Sequence, residues 1–286
     1  CEARWLKSDE TGVHLQLGEQ TVQCKFLIGA DGLHSPMRNQ LGLSKPGRVY
    51  WRWGLRQHFA VNAWSDKVEV MLGDGCEAYV TPIDRGTDTQ DQPRHQIGVA
   101  LLCYRDLCKP DFPTMLARFP ELERRLRDAV PTSKQRALGP LGQNTRSTWA
   151  PGAVLLGDAS GYIDASTGEG ISLALQQVEH LASILPDQLP QRVDLGAVYG
   201  LTRARMNIAY ILTTYTTIIL GRFPRLRRQV VGILARFPRL FQALLSFNMG
   251  TLSLQSLIRP EVAATTNPTI SEKREVELET RIKAVW

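Results

Sequence analysis

The chain has 286 residues, 43% of them hydrophobic and 22% charged, enough for a sizeable core in one or two domains and too evenly mixed for a disordered or fibrous protein. Its five cysteines (Cys1, Cys24, Cys76, Cys103, Cys108) form no CxxC pair and no zinc-type spacing, which points to reduced thiols in the cytoplasm and away from a disulfide scaffold or a metal centre. The formal charge of +6 is concentrated, since residues 195–260 hold nine arginines and no Asp, Glu or Lys; the basic character belongs to one segment and does not describe the whole surface.

In chain order, Cys1–Lys7 and Gly12–Leu17 alternate apolar and polar residues around a polar turn, the pattern of a hairpin. Thr21–Ile28 reads as one strand running into Gly29-Ala30-Asp31-Gly32, and Ser35-Pro36 has the capping and first-turn chemistry of a helix start. Strands are expected at Tyr50–Phe59, Lys67–Leu72, Glu77–Pro82 and Gln96–Cys103, with turns at Gly73-Asp74-Gly75 and Asp84–Arg94. Phe112–Val130 has helical spacing with a charged face. The apolar run Ala153–Leu156 stops at Gly157-Asp158, and Gly170–Leu185 carries enough apolar residues for a mostly buried helix. Beyond it the period stays helical to about Ile258. Arg-Phe-Pro-Arg-Leu occurs at 222–226 and again at 236–240, so two short helices should start alike, each with proline in its first turn. The last residues, 261–286, read as a polar tail.

The informative residues are two strand-to-loop-to-helix junctions: Gly29-Ala30-Asp31-Gly32-x-x-Ser35-x-x-Arg38, and Gly157-Asp158-Ala159-Ser160-Gly161-Tyr162-Ile163-Asp164-Ala165-Ser166-Thr167-Gly168-Glu169-Gly170. In each, a strand delivers the chain to a carboxylate, and glycines allow close backbone approach to a ligand. A helix start then presents unpaired amides, which favour negative charge. An Asp at such a strand end can accept hydrogen bonds from sugar hydroxyls. A lone Gly-Asp would be an ordinary turn; glycines at 157, 161, 168 and 170 together make a ligand loop the better reading.

These two segments resemble the DG and GD motifs of flavoprotein monooxygenases of the para-hydroxybenzoate hydroxylase fold, and the wording of the second is nearest to the geranylgeranyl reductase-like branch. The resemblance covers about residues 1–190. It implies an α/β (α+β) architecture: an incomplete FAD-binding Rossmann-like domain interleaved with an antiparallel β-sheet substrate domain, plus a C-terminal helical region. The segments would be 1–48 (DG motif), 49–145 (substrate sheet), 146–190 (GD motif), 191–260 (basic helices) and the 261–286 tail. By the same resemblance Asp31, Gly32 and Arg38 would hold the pyrophosphate region and its loop. Gly157, Asp158, Ala159 and Gly161 would form the ribityl-binding loop, and Thr167, Gly168, Glu169 and Gly170 the helix start facing the flavin ring. FAD is the implied cofactor and NAD(P)H the reductant. Two positions depart from the pattern. Ala165 stands where the family usually has proline, and Gly161 stands where hydroxylases commonly carry histidine, which favours the reductase-like branch or the broader set of related oxidoreductases.

The opening Gly-x-Gly-x-x-Gly of the family, after a strand and before a helix, is absent from the 286 residues. Roughly a hundred or more residues are therefore expected ahead of Cys1, and this chain by itself is expected to hold FAD weakly. On the substrate side, a strand ending Tyr-x-x-Pro lies over the flavin in the family, which makes Tyr79 and Pro82 candidates to shape the pocket. Trp53 and His58 are further candidates, with sheet packing and a structural histidine as their alternatives. No carboxylate pair, metal cluster or Ser/His/Asp set stands out, so no catalytic residue is named; in flavin chemistry the cofactor carries the hard step. The expected substrate is a hydrophobic small molecule, hydroxylated, epoxidised or reduced at a double bond. Halogenation ranks lower, because Trp51-Arg52-Trp53 is not followed by the Ile-Pro of halogenases. A catalytically incompetent remnant, or one part of a split flavoprotein, is the alternative of a different class.

Residues 195–260 have three readings: a helical cap with solvated or paired arginines, a peripheral membrane face, and, ranked last, a nucleic-acid surface. A nucleic-acid surface has no accompanying motif. No run in this segment has the roughly 20 apolar residues of a spanning helix.

Overall fold

The computed structural model describes residues 2–45, 52–87, 93–188 and 195–248. Two compact units divide at Val230/Val231, and of the second only 231–248 is described.

The first unit opens with an antiparallel meander of β1 (Ala3–Asp9), β2 (Gly12–Leu17) and β3 (Gln20–Cys24). The single strand expected over Thr21–Ile28 is two strands. After Cys24 the chain leaves the meander, Phe26 packs beside Val154, Leu156 and Tyr199 in a different core, and β4 (Leu27–Gly29) joins a second sheet. Helix α1 (Pro36–Gln40) follows, capped by the Ser35 hydroxyl, which accepts from the Arg38 amide.

The largest sheet is built from β5 (Arg52–Ala60), β6 (Glu69–Leu72), β7 (Cys76–Thr87) and β8 (Pro93–Tyr104). Tyr50 and Trp51 lie outside the described residues. The turn expected over Asp84–Arg94 is shorter, because the β7–β8 ladder continues through Asp84↔His95 and Thr87↔Pro93. The helix expected over Phe112–Val130 is broken into α2 (Phe112–Leu116) and α3 (Pro120–Leu126), and Val130 opens strand β9 (Val130–Pro131). Pro120 has no amide to donate, so it begins a helix and cannot continue one. With β9 and β10 (Arg136–Leu138) the sheet order is β10-β5-β8-β7-β6, and β9 also pairs with β5.

Strand alternation gives this sheet two faces. Leu55, Phe59, Ala78, Val80, Val99 and Leu101 point to one side and are covered by Phe112, Met115, Phe119 and Leu122. Leu102 and Tyr79 point to the other, against Leu33, Leu141, Tyr162 and Ala165 of the two glycine loops. The second face is what places the sheet under the loops.

The small sheet, β11 (Trp149–Ala150), β12 (Ala153–Leu155) and β4, joins β12 and β4 in parallel, with Val154 opposite Ile28. That pairing brings the two glycine motifs, 120 or so positions apart, to the same sheet end. A 3-10 turn, Gly157–Ser160, leads towards α4 (Gly170–Gln188). The expected mostly buried helix is not observed there. Leu181 and Gln177 are buried, but Ile171, Leu175 and Val178 are 79%, 64% and 48% exposed, because α4 packs against the 3-10 turn and α5 (Leu195–Met206) with one face only. Then come α6 (Ile208–Arg222), α7 (Pro224–Arg236) and α8 (Pro238–Asn248). The two Arg-Phe-Pro-Arg-Leu copies do start helices, each with its proline as the first helical residue.

Candidate functional site

The DG loop is built around one carboxylate. Asp31 Oδ1 accepts from the Ser35 hydroxyl at 2.5 Å and Oδ2 from the Met37 amide at 2.8 Å, so this side chain is spent on the start of α1. Arg38 is 2% exposed, and its guanidinium donates to the carbonyls of Leu33 (2.8 Å), Ala159 (3.0 Å) and Asp158 (3.3 Å) and to Gln143 Oε1 (3.0 Å). A single side chain therefore ties the DG loop to the GD loop. Burial lowers the Arg38 pKa, with Asp31 opposing, but an arginine stays charged at neutral pH.

The GD loop has a rigid backbone. Gly161 lies at φ 113°, ψ 145°, a conformation essentially restricted to glycine. The next residue, Tyr162, exchanges two backbone hydrogen bonds with Gln143. The Gly157 amide donates to Gln177 Oε1 on α4 at 2.9 Å.

Beneath the loop lies a buried ionic cluster that the sequence did not disclose. Arg52, Glu77 and Asp164 are 0%, 1% and 2% exposed. Arg52 Nη1 donates to Asp164 Oδ1 at 2.9 Å; its Nη2 is 2.8 Å from Glu77 Oε2 but outside hydrogen-bonding angles, so that contact is Coulombic. The guanidinium also lies 4.7 Å from the centroid of the Tyr104 ring. Asp164 Oδ1 accepts from the Ser166 amide as well. The Tyr79 hydroxyl sits 2.9 Å from Glu77 Oε2 and 3.0 Å from the Ser166 carbonyl, and donates its one proton to either. Burial would lower the Arg52 pKa, but Glu77 and Asp164 more than reverse that and raise it. Burial raises the Asp164 carboxyl, with Arg52 opposing, and burial followed by Glu77 raises the Tyr79 hydroxyl. Helix α6 closes the cluster from the far side. Tyr104 donates to the Ile218 carbonyl at 2.6 Å, Tyr210 to the Asp164 carbonyl at 3.2 Å, and a Cβ at Gly221 would meet Glu77 Oε1 at 2.6 Å.

Between the loops opens a cleft of about 520 Å³. Gly32, Gly157, Asp158, Gly168 and Gly170 line its polar edge; Ile171, Leu175 and Val178 of α4 form an apolar wall. Ala30, Tyr162 and Ala165 line it as well, and the other predicted site residues of the two motifs lie behind it. Asp31 and Arg38 organise the loops, and Ala159 is buried with its carbonyl on Arg38. Thr167 faces Thr214 of α6 at 3.5 Å, and the Glu169 carbonyl accepts the Leu173 amide at the start of α4.

The substrate-side candidates separate by strand face. Tyr79 reaches the GD loop, and His58 stands on the same face opposite Gly98. Trp53 and Pro82 point the other way: Trp53 packs against the helix-covered core, and Pro82 lines a small niche with Trp64 and Val80. Strand alternation forbids Tyr79 and Pro82, three residues apart, from sharing a face.

The cleft suits a flat ring with one polar edge and a polyhydroxyl chain. Glycine peptide edges allow close stacking, and the 19-residue α4 aims its amide end at the polar rim. Asp158 is a desolvated acceptor, its carboxyl pKa raised by burial alone. An acid raised in the fold binds its proton more tightly there than in the unfolded chain. Stability is therefore lost as pH rises from the unfolded value of about 3.9 through the raised one. Asp158→Asn is expected to raise the melting temperature of the ligand-free protein at pH 8, with the gain vanishing near pH 4. Melting curves across that range check it, and an Asn variant less stable than the parent at pH 8 would contradict it.

Comparison with known proteins agrees with this geometry. Residues 4–100 match the FAD binding domain family and residues 119–207 the tryptophan halogenase family. The second match takes in the GD loop but not Trp53. A digeranylgeranylglycerophospholipid reductase of Methanococcus vannielii is 27% identical over 161 residues, 55% of this chain and 40% of the relative. Protein CbrA of Escherichia coli O157:H7 is 24% identical over 210 residues, 73% of this chain and 56% of the relative. The chain thus spans about half the length of the curated relatives it matches. Among solved structures, the flavin-dependent brominase Bmp2 superposes with TM-score 0.68 at 13% identity over 98% of this chain and 70% of that one. PqsL of Pseudomonas aeruginosa, described as a probable FAD-dependent monooxygenase, gives 0.61 at 21% identity over 82% and 66%. Both loop motifs are drawn to one cleft, and the matches along residues 4–207 are to proteins of the FAD-dependent oxidoreductase superfamily.

Proposed function

We propose that this chain forms the flavin-ring side of an enzyme that oxidises or reduces a hydrophobic small molecule with electrons from NAD(P)H. The observation that carries the proposal is the junction made by Arg38, which holds the DG and GD loops around one cleft with Asp158 and the start of α4 on its rim. When FAD is bound there, it supplies hydride transfer or the activation of O₂. The protein's share is positional and electrostatic. Asp158 would accept from the polyhydroxyl chain, the glycine edges would admit the ring, and the α4 amides would favour negative charge on its polar edge. The second face of the large sheet, with Tyr79 and His58, would floor the substrate space.

The kinship to a lipid reductase and the fold shared with a monooxygenase support reduction and oxygenation alike; the match to the tryptophan halogenase family adds halogenation. NAD(P)H oxidation by the FAD-supplied protein, with an isoprenoid and an aromatic acceptor, separates them. Turnover without O₂ marks a reductase, strict O₂ dependence an oxygenase, and added dependence on halide a halogenase. No FAD-dependent NAD(P)H oxidation under either atmosphere would contradict the proposal and favour a catalytically incompetent or split flavoprotein.

A further inference from the structure

Helix α6 carries more apolar surface than the face it buries. Its inner side carries buried Tyr210, Thr214, Ile218 and Gly221 against the ionic cluster. On its outer side Ile208, Ile211, Leu212, Tyr215 and Ile219 recur at helical spacing and form a stripe about 100° wide, each residue 38–50% exposed. Phe223 and Leu226, 57% and 41% exposed, follow directly in the chain. The stripe adjoins the buried face, so α6 presents apolar surface that the fold leaves uncovered, and none of the nine charges of residues 195–260 falls within 208–221.

The surrounding charge has one sign. Arg222 is paired with Asp106 at 2.9 Å and Arg227 with Asp74 at 2.6 Å, so those two acids are already neutralised. Arg225 and Arg228, on the first turns of α7, form no salt bridge among the described residues. An apolar stripe followed by uncompensated arginines is complementary to acyl chains beneath anionic headgroups, and no described helix is long and apolar enough to cross a membrane. We propose that the outer face of α6, continued by Phe223 and Leu226, docks on the surface of an anionic lipid bilayer, with Arg225 and Arg228 meeting its headgroups. Docking requires neither the flavin nor the activity proposed above.

The test is flotation of the purified chain with vesicles of phosphatidylcholine alone or mixed with phosphatidylglycerol. The chain is expected to float with the mixed vesicles at low salt and to be released by high salt. Arg225→Glu/Arg228→Glu should weaken the apparent affinity by about tenfold or more. Ile211→Ser/Leu212→Ser/Ile219→Ser should abolish flotation while the melting temperature falls by no more than about 6 °C, because all three side chains are partly exposed to solvent. No flotation with either vesicle would overturn the proposal. So would a concentration-dependent dimer, seen by sedimentation and dissolved by the triple Ser variant, in a chain that ignores vesicles, since the stripe would then be a self-interface. Salt-sensitive binding to duplex DNA with no vesicle binding would overturn it equally.

Discussion

Arg52→Met is expected to lower stability by about 3–5 kcal/mol, because it strands two buried carboxylates without their cation. With Glu77 and Asp164 1% and 2% exposed, water cannot replace the guanidinium. For a chain of this size the loss is a fall in melting temperature of roughly 6–20 °C. The effect should depend on pH in a defined direction. Arg52 opposes the burial that raises the Asp164 carboxyl, so losing the cation raises it further; stability is then lost as pH rises through that value, and the deficit should be larger at pH 8 than at pH 5. Adding Glu77→Gln and Asp164→Asn to Arg52→Met should recover part of the loss, since neutral amides need no counter-charge. Melting curves at the two pH values decide the matter; a variant within about 2 °C of the parent at pH 8 would show that the cluster is not what anchors the GD loop. The anchoring follows from the bonds. Asp164 lies inside that loop, accepts from the Ser166 amide two residues on, and is held to strand β5 by Arg52.

Arg38→Ala is expected to separate the two glycine loops. Three backbone carbonyls and Gln143 Oε1 lose a charged donor. Hydrogen bonds to a charged group contribute about 1.5–3 kcal/mol each, and because they share one side chain they do not sum, so a net loss of roughly 3 kcal/mol is the reasonable expectation. Hydrogen exchange over residues 157–162 should accelerate selectively, and FAD affinity in a fluorescence titration should fall at least about tenfold. Arg38→Lys should rescue little, because one ammonium cannot span four acceptors in a planar fork. Uniform acceleration of exchange along the chain, with loop and remainder affected alike, would refute the specific role.

Part of this molecule is local chemistry and was legible along the chain. Ser35 and Pro36 announce α1, the prolines of the Arg-Phe-Pro-Arg-Leu copies start α7 and α8, and glycines with positive φ mark the GD loop. Such features depend on dihedral freedom and missing donors within a few residues, so a sequence carries them directly. Within a strand, alternation sets Trp53 against His58 and Pro82 against Tyr79 and Thr81, which corrects the grouping of Trp53 and Pro82 with the pocket; that His58 shares the face of Tyr79 follows only from the register through β8.

What the tertiary structure alone decided is pairing and coverage. Nothing near Arg52 in the sequence indicates that its partner stands 112 positions away; sheet register and the return of the chain through β12 bring the two together. Nor does the apolar period of α4 or α6 say whether a face is covered, and both helices leave apolar residues exposed. Periodicity records which residues share a side of a helix. Only the packing of neighbouring elements settles whether that side meets protein, a cofactor cleft or solvent.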